Sequence, residues 1–394
     1  MSRRRRISIV TSFPADTATP RGGVEAVSVT LVDALMAFDD LEIDVVTTDP
    51  GRTSPAITAW KRAKVHRLPQ QAGRILVDAT GPGRRQMHQY LEQLGPDVVH
   101  AHDVYGLMVQ GLDVPRVMTI HGFIYGDTMV SSGRFKILRS WLWKRAEFRA
   151  WRDHQHIVSI SPYVRERLIG VARGKVHDIE NPIAPACFDV ERREQGLIVF
   201  SAAVICRRKN TLALVEAFAR VVKAGADARL RLAGPVTEPS YGAAVERRIH
   251  ELGLDPRVDR LGSIDAAAVR RELAAASVFA LVSLEENAPL GIEEAMAAGV
   301  PVVASNRCGM PYMVQHGETG YLVDPEQVED IARRLTTLVE DARLRRVMGD
   351  AARAVARLRF HPDAVARRTR DVYVEAMDGH EITAAMPVRP AMAS

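Results

Sequence analysis

The segment from 277 to 304 constrains the fold most, because two apolar runs flank a helical pattern there. Ser277–Val282 and Val300–Ala304 carry no charge and have the length and composition of buried strands. Between them, Leu290–Ala298 has a helical pattern, and Gly299 is a typical helix stop. The segment therefore predicts a strand–loop–helix–strand unit of an α/β fold.

Two glutamates lie within this unit, Glu286 in the loop and Glu294 in the helix. In a doubly wound sheet, ligands bind outside the carboxyl ends of the strands, where helix N-termini offer free N–H groups to phosphate. The carboxylate of Glu294 suits the two hydroxyls of a ribose, and that of Glu286 suits hydroxyls of a sugar beyond the phosphates. For an isolated pair, two solvated surface carboxylates would be the simpler interpretation, so the surrounding residues decide.

After Glu294 the sequence continues Ala-Met-Ala-Ala-Gly-Val-Pro-Val-Val-Ala-Ser, ending at Ser305. With Glu286 eight positions before Glu294, this resembles the signature of the retaining GT-B glycosyltransferases of family four, the glycosyl transferases group 1. The similarity continues in Gly309–Val314 and His316–Val323, and it covers nearly everything from residue 7 to 377.

The resemblance implies an α/β protein with a GT-B fold, in which two Rossmann-like domains face a cleft. It implies a nucleotide-diphosphate sugar donor held mainly by the second domain and an acceptor held by the first. The expected reaction moves the sugar to an acceptor hydroxyl, of unknown type, with the anomeric configuration retained. The resemblance implies neither a metal nor another cofactor.

Composition is consistent with a soluble globular protein. The chain has 394 residues, 47% hydrophobic and 26% charged, which predicts two or three domains. Its formal net charge of +5 favours anionic partners, but no basic run interleaved with aromatic residues indicates a nucleic-acid module. The three cysteines are far apart, which predicts a cytoplasmic location. Although residues 3–6 are all arginine, the apolar run after them is short and interrupted by polar residues, so a first strand is expected there rather than a signal peptide.

In the first half, Gly22 and Gly23 precede a predicted helix that ends at residue 35. Glycines there allow backbone N–H groups to approach a phosphate, although a simple turn has the same appearance. The family has a matching Gly-Gly-x-Glu, which favours phosphate contact. His121 follows the predicted strand Val114–Ile120. It is either a core histidine satisfied by backbone or, as the resemblance implies, a residue directed at the donor sugar.

Two further features of the first half carry alternatives. His100, His102 and Asp103 end another strand, but no further cluster completes a metal site and no Asp-x-Asp occurs, so no metal is expected. The helix predicted over Arg134–Arg152 is amphipathic and rich in aromatic and basic residues. It either packs on the sheet with a charged outer face or docks on an anionic membrane surface, at the inner face of the membrane.

In the second half, Arg207, Arg208 and Lys209 precede a predicted helix. Fixed cations there would neutralise a diphosphate and stabilise it as a leaving group, whereas a solvated basic turn is the simpler alternative. The family has a lysine at the place of Lys209, but it commonly has Gly-Arg where this chain has Ala203 and Val204. Either Arg207 or Arg208 substitutes for that arginine, or the donor is held more weakly. Tyr312 is a second departure, at a place where the family usually has glutamate.

These patterns predict an acceptor domain over 1–192, a donor domain over 193–362, a helix over 363–377 that crosses back to the first domain, and a mobile tail over 379–394. Two other functions stay open: a donor-binding but inactive partner subunit, suggested by Val204 and Tyr312, and a GT-B hydrolase or epimerase of nucleotide-sugars. The expected catalytic residues are His121, Glu286, Lys209 and Arg208, and the expected donor-binding residues are Gly22, Gly23, Arg207, Ile264, Asn287, Ala288, Pro289, Leu290 and Glu294.

Overall fold

The computed structural model describes residues 3–130 and 135–385. The chain divides into two compact units, of which one contains the described residues up to Ile179 and those from Val365 onward. The other is Glu180–Ala364. The division comes earlier than the predicted boundary at 192, because Ile183, Phe188 and Val190 are buried in the apolar core of the second unit.

The first unit is built on an eight-stranded sheet in the order β3-β4-β2-β1-β5-β6-β7-β8. All neighbouring strands are parallel except β3 and β4, which form an antiparallel hairpin that the sequence analysis did not anticipate. The strands are β1 (Arg5–Val10), β2 (Leu41–Asp49), β3 (Ala56–Trp60), β4 (Ala63–Pro69), β5 (Val98–His102), β6 (Arg116–Ile120), β7 (His156–Ser159) and β8 (Lys175–Asp178).

Helices connect these strands. They are α1 (Gly23–Leu35), α2 (Ile75–Thr80), α3 (Pro82–Leu94), α4 (Tyr105–Met108), α5 (Ile124–Val130), α6 (Lys136–Asp153) and α7 (Pro162–Leu168). The strand order reverses between β1 and β5, and this reversal is where ligands bind in sheets of this kind.

The second unit has a fully parallel six-stranded sheet in the order β11-β10-β9-β12-β13-β14. Its strands are β9 (Leu197–Ala202), β10 (Ala228–Ala233), β11 (Val258–Gly262), β12 (Val278–Leu281), β13 (Val302–Ser305) and β14 (Gly320–Val323). Its helices are α8 (Thr211–Lys223), α9 (Pro239–Glu251), α10 (Ala266–Ala275), α11 (Leu290–Ala297), α12 (Val328–Glu340) and α13 (Ala342–Arg359). The predicted strand–loop–helix–strand unit is thus confirmed as β12, α11 and β13.

Both faces of this second sheet are covered by apolar clusters, as a parallel sheet requires. Along β9, Val199 belongs to the cluster that contains Phe218 of α8. The next residue, Phe200, belongs to the cluster that contains Ile292 of α11. Successive side chains of a strand point to opposite faces of the sheet, so Val199 and Phe200 enter different clusters. Helix α11 covers one of these faces and is therefore largely buried.

The last helix, α14 (Pro362–Ala385), adds Val365, Val372 and Tyr373 to the core of the first unit. A helix returning to the first unit was therefore predicted correctly. The helix is longer than predicted. Residues 379–385, which were predicted to belong to a mobile tail, are helical. The rest of the predicted tail lies outside the described residues. Within the described part of the chain, no helix has the length and apolar character needed to cross a bilayer.

Candidate functional site

In the second unit the strand order reverses between β9 and β12, so the loops after these two strands flank a potential ligand crevice. The loop after β9 contains the short 3-10 helix Arg207–Lys209. The loop after β12 contains Glu286 and leads into α11. The parallel arrangement of the strands therefore brings together two motifs that are distant in sequence.

The two loops meet through Glu286, whose side chain is only 10% exposed. Its Oε1 accepts a hydrogen bond of 2.7 Å from Nη1 of Arg208 and lies 2.5 Å from Nζ of Lys209. Arg208 also donates to the carbonyl oxygen of Glu285 at 2.7 Å, and the Leu284 amide donates to the Arg208 carbonyl at 2.8 Å. Two cations share one carboxylate, which leaves one positive charge uncompensated within the trio.

Asn210 fixes the end of the basic turn. Its φ of 57° lies in the left-handed region, which asparagine tolerates better than most residues. Its Nδ2 donates to the carbonyl oxygens of Val282 at 3.3 Å and Pro325 at 2.7 Å. Asn210 was not among the residues predicted from the sequence, although an asparagine directly before a helix was a usable signal. The cations are thus held on a turn that is anchored to the end of β12.

Gly309 holds the loop that carries Glu286 in place. Its amide donates to the carbonyl oxygen of Glu286 at 2.8 Å. A Cβ at this position would lie 1.6 Å from the carbonyl oxygen of Asn287, so only glycine fits. The neighbouring predicted residues have structural positions. Pro289 is the N-cap residue of α11. Ala288, Leu290 and Ile264 pack against the apolar cluster that contains Ile292.

Glu294 lies in the second turn of α11 and is partly exposed. Burial raises the pKa of its carboxyl to about 7, and the guanidinium of Arg270 on α10 opposes the shift. The acidic residue in the first turn is Glu293 rather than Glu294. Arg270 was not singled out from the sequence, because nothing in the pattern of α10 distinguishes it from a surface arginine. A carboxyl with a pKa near 7 is suited to accepting hydrogen bonds from sugar hydroxyls while remaining sensitive to pH.

Glu293 is fully buried, and neither of its carboxylate oxygens has a hydrogen-bond partner among the described residues. Burial, together with the charge of Glu180, raises the pKa of Glu293 well above its usual value. A neutral carboxyl in this place contributes packing rather than charge, so the two adjacent glutamates of α11 have different roles.

Arg207 does not join the Glu286 cluster. Its side chain is 74% exposed, with its Nε 3.8 Å from Oε2 of Glu238. Its guanidinium lies over the ring of Tyr241, 5.8 Å from the centroid. Of the three predicted cations, two converge on Glu286 and the third points elsewhere, so Arg208 is the better placed substitute for the arginine that is absent at Val204.

In the first unit, Gly22 caps α1 with an extended φ of −167°, which any residue adopts. No atom lies within 4 Å of a Cβ placed on it, so neither the fold nor the backbone requires glycine there. Gly23 is the first residue of α1, a helix of 13 residues whose N-terminal amides offer positive partial charge. The space around Gly22 is open, and contact of a phosphate with this helix end stays a prediction.

His121 follows β6 and is held at two points. Its amide donates to Oδ1 of Asp103 at 2.7 Å, and its Nε2 lies 3.1 Å from Nδ1 of His102. His100, in turn, contacts the hydroxyls of Tyr373 and Thr119, each at 2.7 Å. Burial lowers the pKa of His100 to about 3 and that of His102 well below its usual value, so both rings are neutral at physiological pH. Of the residues that invited a metal assignment, His102 and Asp103 thus hydrogen-bond to His121, whereas His100 bonds to Tyr373 and Thr119.

Helix α6 divides into two faces. Trp143, Ala150 and Trp151 are buried against the first unit. By contrast, the N-cap residue and the N-terminal half of the helix expose large apolar side chains: Phe135, Ile137, Leu138, Trp141 and Leu142. Next to them, a cavity of about 520 Å³ is lined by Trp141, Phe148 and four cations, namely Lys144, Arg145, Arg149 and Arg152. The outer face is therefore apolar as well as basic. Arg134, where the helix was predicted to begin, lies outside the described residues.

Comparison with known families gives two consecutive matches. The family described as Glycosyltransferase Family 4 matches residues 21–186. The family described as Glycosyl transferases group 1 matches residues 187–355. The two matches meet within seven residues of the point at which the structure divides into units, since 186 minus 179 is 7.

Comparison with individual proteins gives relatives of low sequence identity. An MMP alpha-(1->4)-mannosyltransferase of Mycolicibacterium hassiacum is 28% identical over 295 residues, 71% of each chain. An N-acetyl-alpha-D-glucosaminyl L-malate synthase of Bacillus anthracis is 31% identical over 169 residues. That second alignment spans only 43% of either chain, less than half the length of the relative.

Two solved structures share the fold. Sucrose-phosphate synthase from Thermosynechococcus elongatus aligns with a TM-score of 0.78 at 22% identity, over 95% of this chain and 100% of that one. Anabaena HepE, solved in complex with UDP and glucose, aligns with a TM-score of 0.70 at 19% identity, over 94% of this chain and 100% of that one. At these identities the likeness establishes the fold, and the predicted GT-B fold class is confirmed.

Proposed function

Because this chain belongs to the glycosyltransferases of family 4 and group 1, we propose that it moves a sugar from a nucleotide-diphosphate sugar to an acceptor hydroxyl, with retention of anomeric configuration. The observation that carries the proposal is the convergence of Arg208 and Lys209 on Glu286 at the reversal of strand order. A mannosyltransferase among the relatives and a structural neighbour solved with UDP and glucose support it.

We assign the diphosphate to Lys209 and Arg208. The diphosphate acquires negative charge as its bond to the sugar breaks, and fixed cations in a partly buried place stabilise that charge strongly. The side chain of Lys209 is 13% exposed and that of Arg208 is 33% exposed. In this proposal the side chains supply the positive charge, and no metal or other cofactor is assigned.

Glu286 has two successive roles in the proposal. Before the donor binds, it compensates the two cations and keeps them in place. When the diphosphate takes over the cations, the carboxylate becomes available to accept hydrogen bonds from hydroxyls of the donor sugar. Glu294 is assigned to the ribose hydroxyls, while Gly22, Gly23 and His121 are the contributions assigned to the first unit.

The reaction balances without a protein nucleophile. The acceptor oxygen forms a bond to the anomeric carbon as the bond between that carbon and the phosphate oxygen breaks. The hydroxyl proton passes to the departing phosphate, which gives the glycoside and a nucleoside diphosphate. The protein contributes positioning and electrostatic stabilisation, both of which are large terms in group transfer.

We also propose that helix α6 rests on an anionic membrane surface, which would place the protein at the cytoplasmic face of a membrane. Five exposed apolar side chains, on the N-cap residue and in the N-terminal half of the helix, favour this together with the adjacent basic cavity. Apolar residues would enter the interface while the cations meet lipid phosphates.

A panel of nucleotide-sugars, screened by thermal shift and followed by product analysis, tests the main proposal. A true donor is expected to raise the melting temperature in a concentration-dependent way. With a suitable acceptor it should then yield a glycoside of unchanged anomeric configuration. Binding without turnover across a broad acceptor panel would instead favour an inactive partner subunit. Release of free nucleotide without any acceptor would favour a hydrolase.

A further inference from the structure

We infer that His156, His177 and Glu375 form a binding site for a divalent transition-metal ion, of which zinc fits best. His156 and His177 lie on the neighbouring strands β7 and β8, and Glu375 lies on α14. One potential ligand atom from each of the three lies within 4.8 Å of the other two. Among the side chains that the structure describes, no other group of three His, Cys, Asp or Glu meets this criterion.

The geometry of the two strands brings the imidazoles together. In the parallel ladder His156 pairs with Lys175 and Val158 pairs with His177, so both histidines project from the same face of the sheet. Nδ1 of His156 is 3.0 Å from Nε2 of His177, and the rings are nearly parallel at 21°. A hydrogen bond between two imidazole nitrogens requires one of them to carry no proton, so a nitrogen lone pair already faces into the group.

The donor set indicates the class of metal. Two imidazole nitrogens and one carboxylate oxygen are the ligands of zinc sites that keep a position for water, whereas magnesium and calcium prefer oxygen ligands alone. Tetrahedral zinc, with Zn–N distances of about 2.0–2.1 Å, separates two ligating nitrogens by roughly 3.3 Å. The 3.0 Å observed here therefore needs only a small rotation of one ring.

A further carboxylate on the same helix lines the same cavity as His156 and Glu375. Asp378 lies three positions after Glu375 on α14, a spacing that places both side chains on one face. His156, Glu375 and Asp378 all line a cavity of about 750 Å³ that opens to solvent. Water would complete the coordination, and the open cavity provides the path by which a metal enters.

The ammonium group of Lys175 would compete with a metal ion for the carboxylate of Glu375. Its Nζ lies 2.7 and 2.8 Å from the two carboxylate oxygens of Glu375. Both side chains are largely exposed, 60% for the lysine and 43% for the glutamate, so this ion pair is weak and a divalent ion can displace it. With metal bound, β7, β8 and α14 become cross-linked, which stabilises the attachment of α14 to the first unit.

Isothermal titration of the full-length, metal-free protein with ZnCl₂, together with the absorption spectrum after CoCl₂ addition, tests the inference. We expect one zinc per chain, the visible bands of tetrahedral cobalt, and no heat with MgCl₂. H177A and E375Q should each weaken zinc binding by about tenfold or more, a loss of roughly 1.4 kcal/mol or more. K175M should strengthen binding, because it removes both the competing cation and its repulsion of the metal.

His250 provides the matched control. It is an exposed histidine of the second unit, 3.1 Å from Asp255 but without a third ligand, so H250A should leave zinc affinity unchanged. If the wild-type protein takes up no zinc, or if E375Q and K175M both bind it as the wild type does, the inference is overturned. Because Glu375 and Lys175 are both exposed, the E375Q and K175M variants keep the test valid even if H177A does not fold.

Discussion

Lys209 and Glu286 lie on the loops that follow two adjacent strands, and the lysine Nζ is 2.5 Å from the carboxylate Oε1. Arg208 donates to the same oxygen, so one carboxylate orients two cations before any ligand is present. Preorganised charge of this kind stabilises a developing anion without further rearrangement of the protein. The functional proposal depends on this relationship more than on any other contact, and it can be tested directly.

Lys209→Met is expected to lower kcat by about a hundredfold, because it removes a charge directed at the leaving diphosphate. Steady-state kinetics at saturating donor measures this loss. Arg207→Met is the matched control, since Arg207 is adjacent in sequence but exposed and directed toward Glu238. Equal losses in the two variants would show that the basic turn acts only through its overall charge, contrary to the assigned role of Lys209.

Glu294→Gln is expected to weaken donor binding and to remove its pH dependence. Burial raises the pKa of Glu294 to about 7, and an ionised carboxylate accepts hydrogen bonds more strongly than a neutral one. The donor affinity of the wild type should therefore increase as the pH rises from 6 to 8, as calorimetry would show. Glu318→Gln, at an exposed position, is the control. A pH profile that is unchanged in Glu294→Gln would exclude the ribose assignment.

Gly22→Ala separates a binding role from a structural one. A Cβ at this position meets no atom within 4 Å and the backbone is extended, so the melting temperature should stay the same. Transfer should nevertheless decline, because the methyl group obstructs the approach of a phosphate to the N-terminus of α1. Gly73→Ala, which also meets no atom within 4 Å, is the control. Normal kinetics in Gly22→Ala would contradict the predicted phosphate contact.

Glu147→Gln is expected to reduce the loss of stability on going from pH 5.5 to 8. Glu147 accepts hydrogen bonds of 3.0 Å from the amides of Ile124 and Tyr125, and burial raises its pKa to about 8. Between pH 4.5 and 8 the folded protein keeps this proton while the unfolded chain loses it. Its contribution to stability is thus fully present below pH 4.5 and is lost as the pH rises through 8, by at most about 1.4 kcal/mol per pH unit.

Melting temperatures of the wild type and Glu147→Gln across this pH range provide the measurement. The amide cannot ionise, so the difference between the variant and the wild type should move in favour of the variant as the pH rises. Parallel curves would show that Glu147 is already ionised in the folded protein at pH 5.5.

Reversing the charges of α6, by Lys144→Glu with Arg145→Glu, is expected to abolish co-sedimentation with anionic vesicles. The wild type should bind vesicles containing phosphatidylglycerol more tightly than neutral ones, and added salt should weaken this binding. Arg343→Glu with Arg346→Glu, at exposed positions on α13, is the control for net charge. Equal sedimentation with neutral and anionic vesicles would refute the membrane proposal.

Much of the second unit was predictable from local sequence. The strand–loop–helix–strand unit follows from apolar runs of strand length, a helical pattern and a terminating glycine, each of which acts within a few residues. The motif from Glu286 to Ser305 also indicated the family before any tertiary contact was known.

Tertiary structure decided which of the candidate residues meet. Arg207, Arg208 and Lys209 are equivalent as a sequence of cations, and only the packing of the β9 and β12 loops selects the latter two for Glu286. The division of the chain near residue 180 and the group His156, His177 and Glu375 likewise depend on contacts between residues far apart in sequence. Local propensities determine helices and strands, but long-range packing sets burial and the distances between charges, and these determine the chemistry of a site.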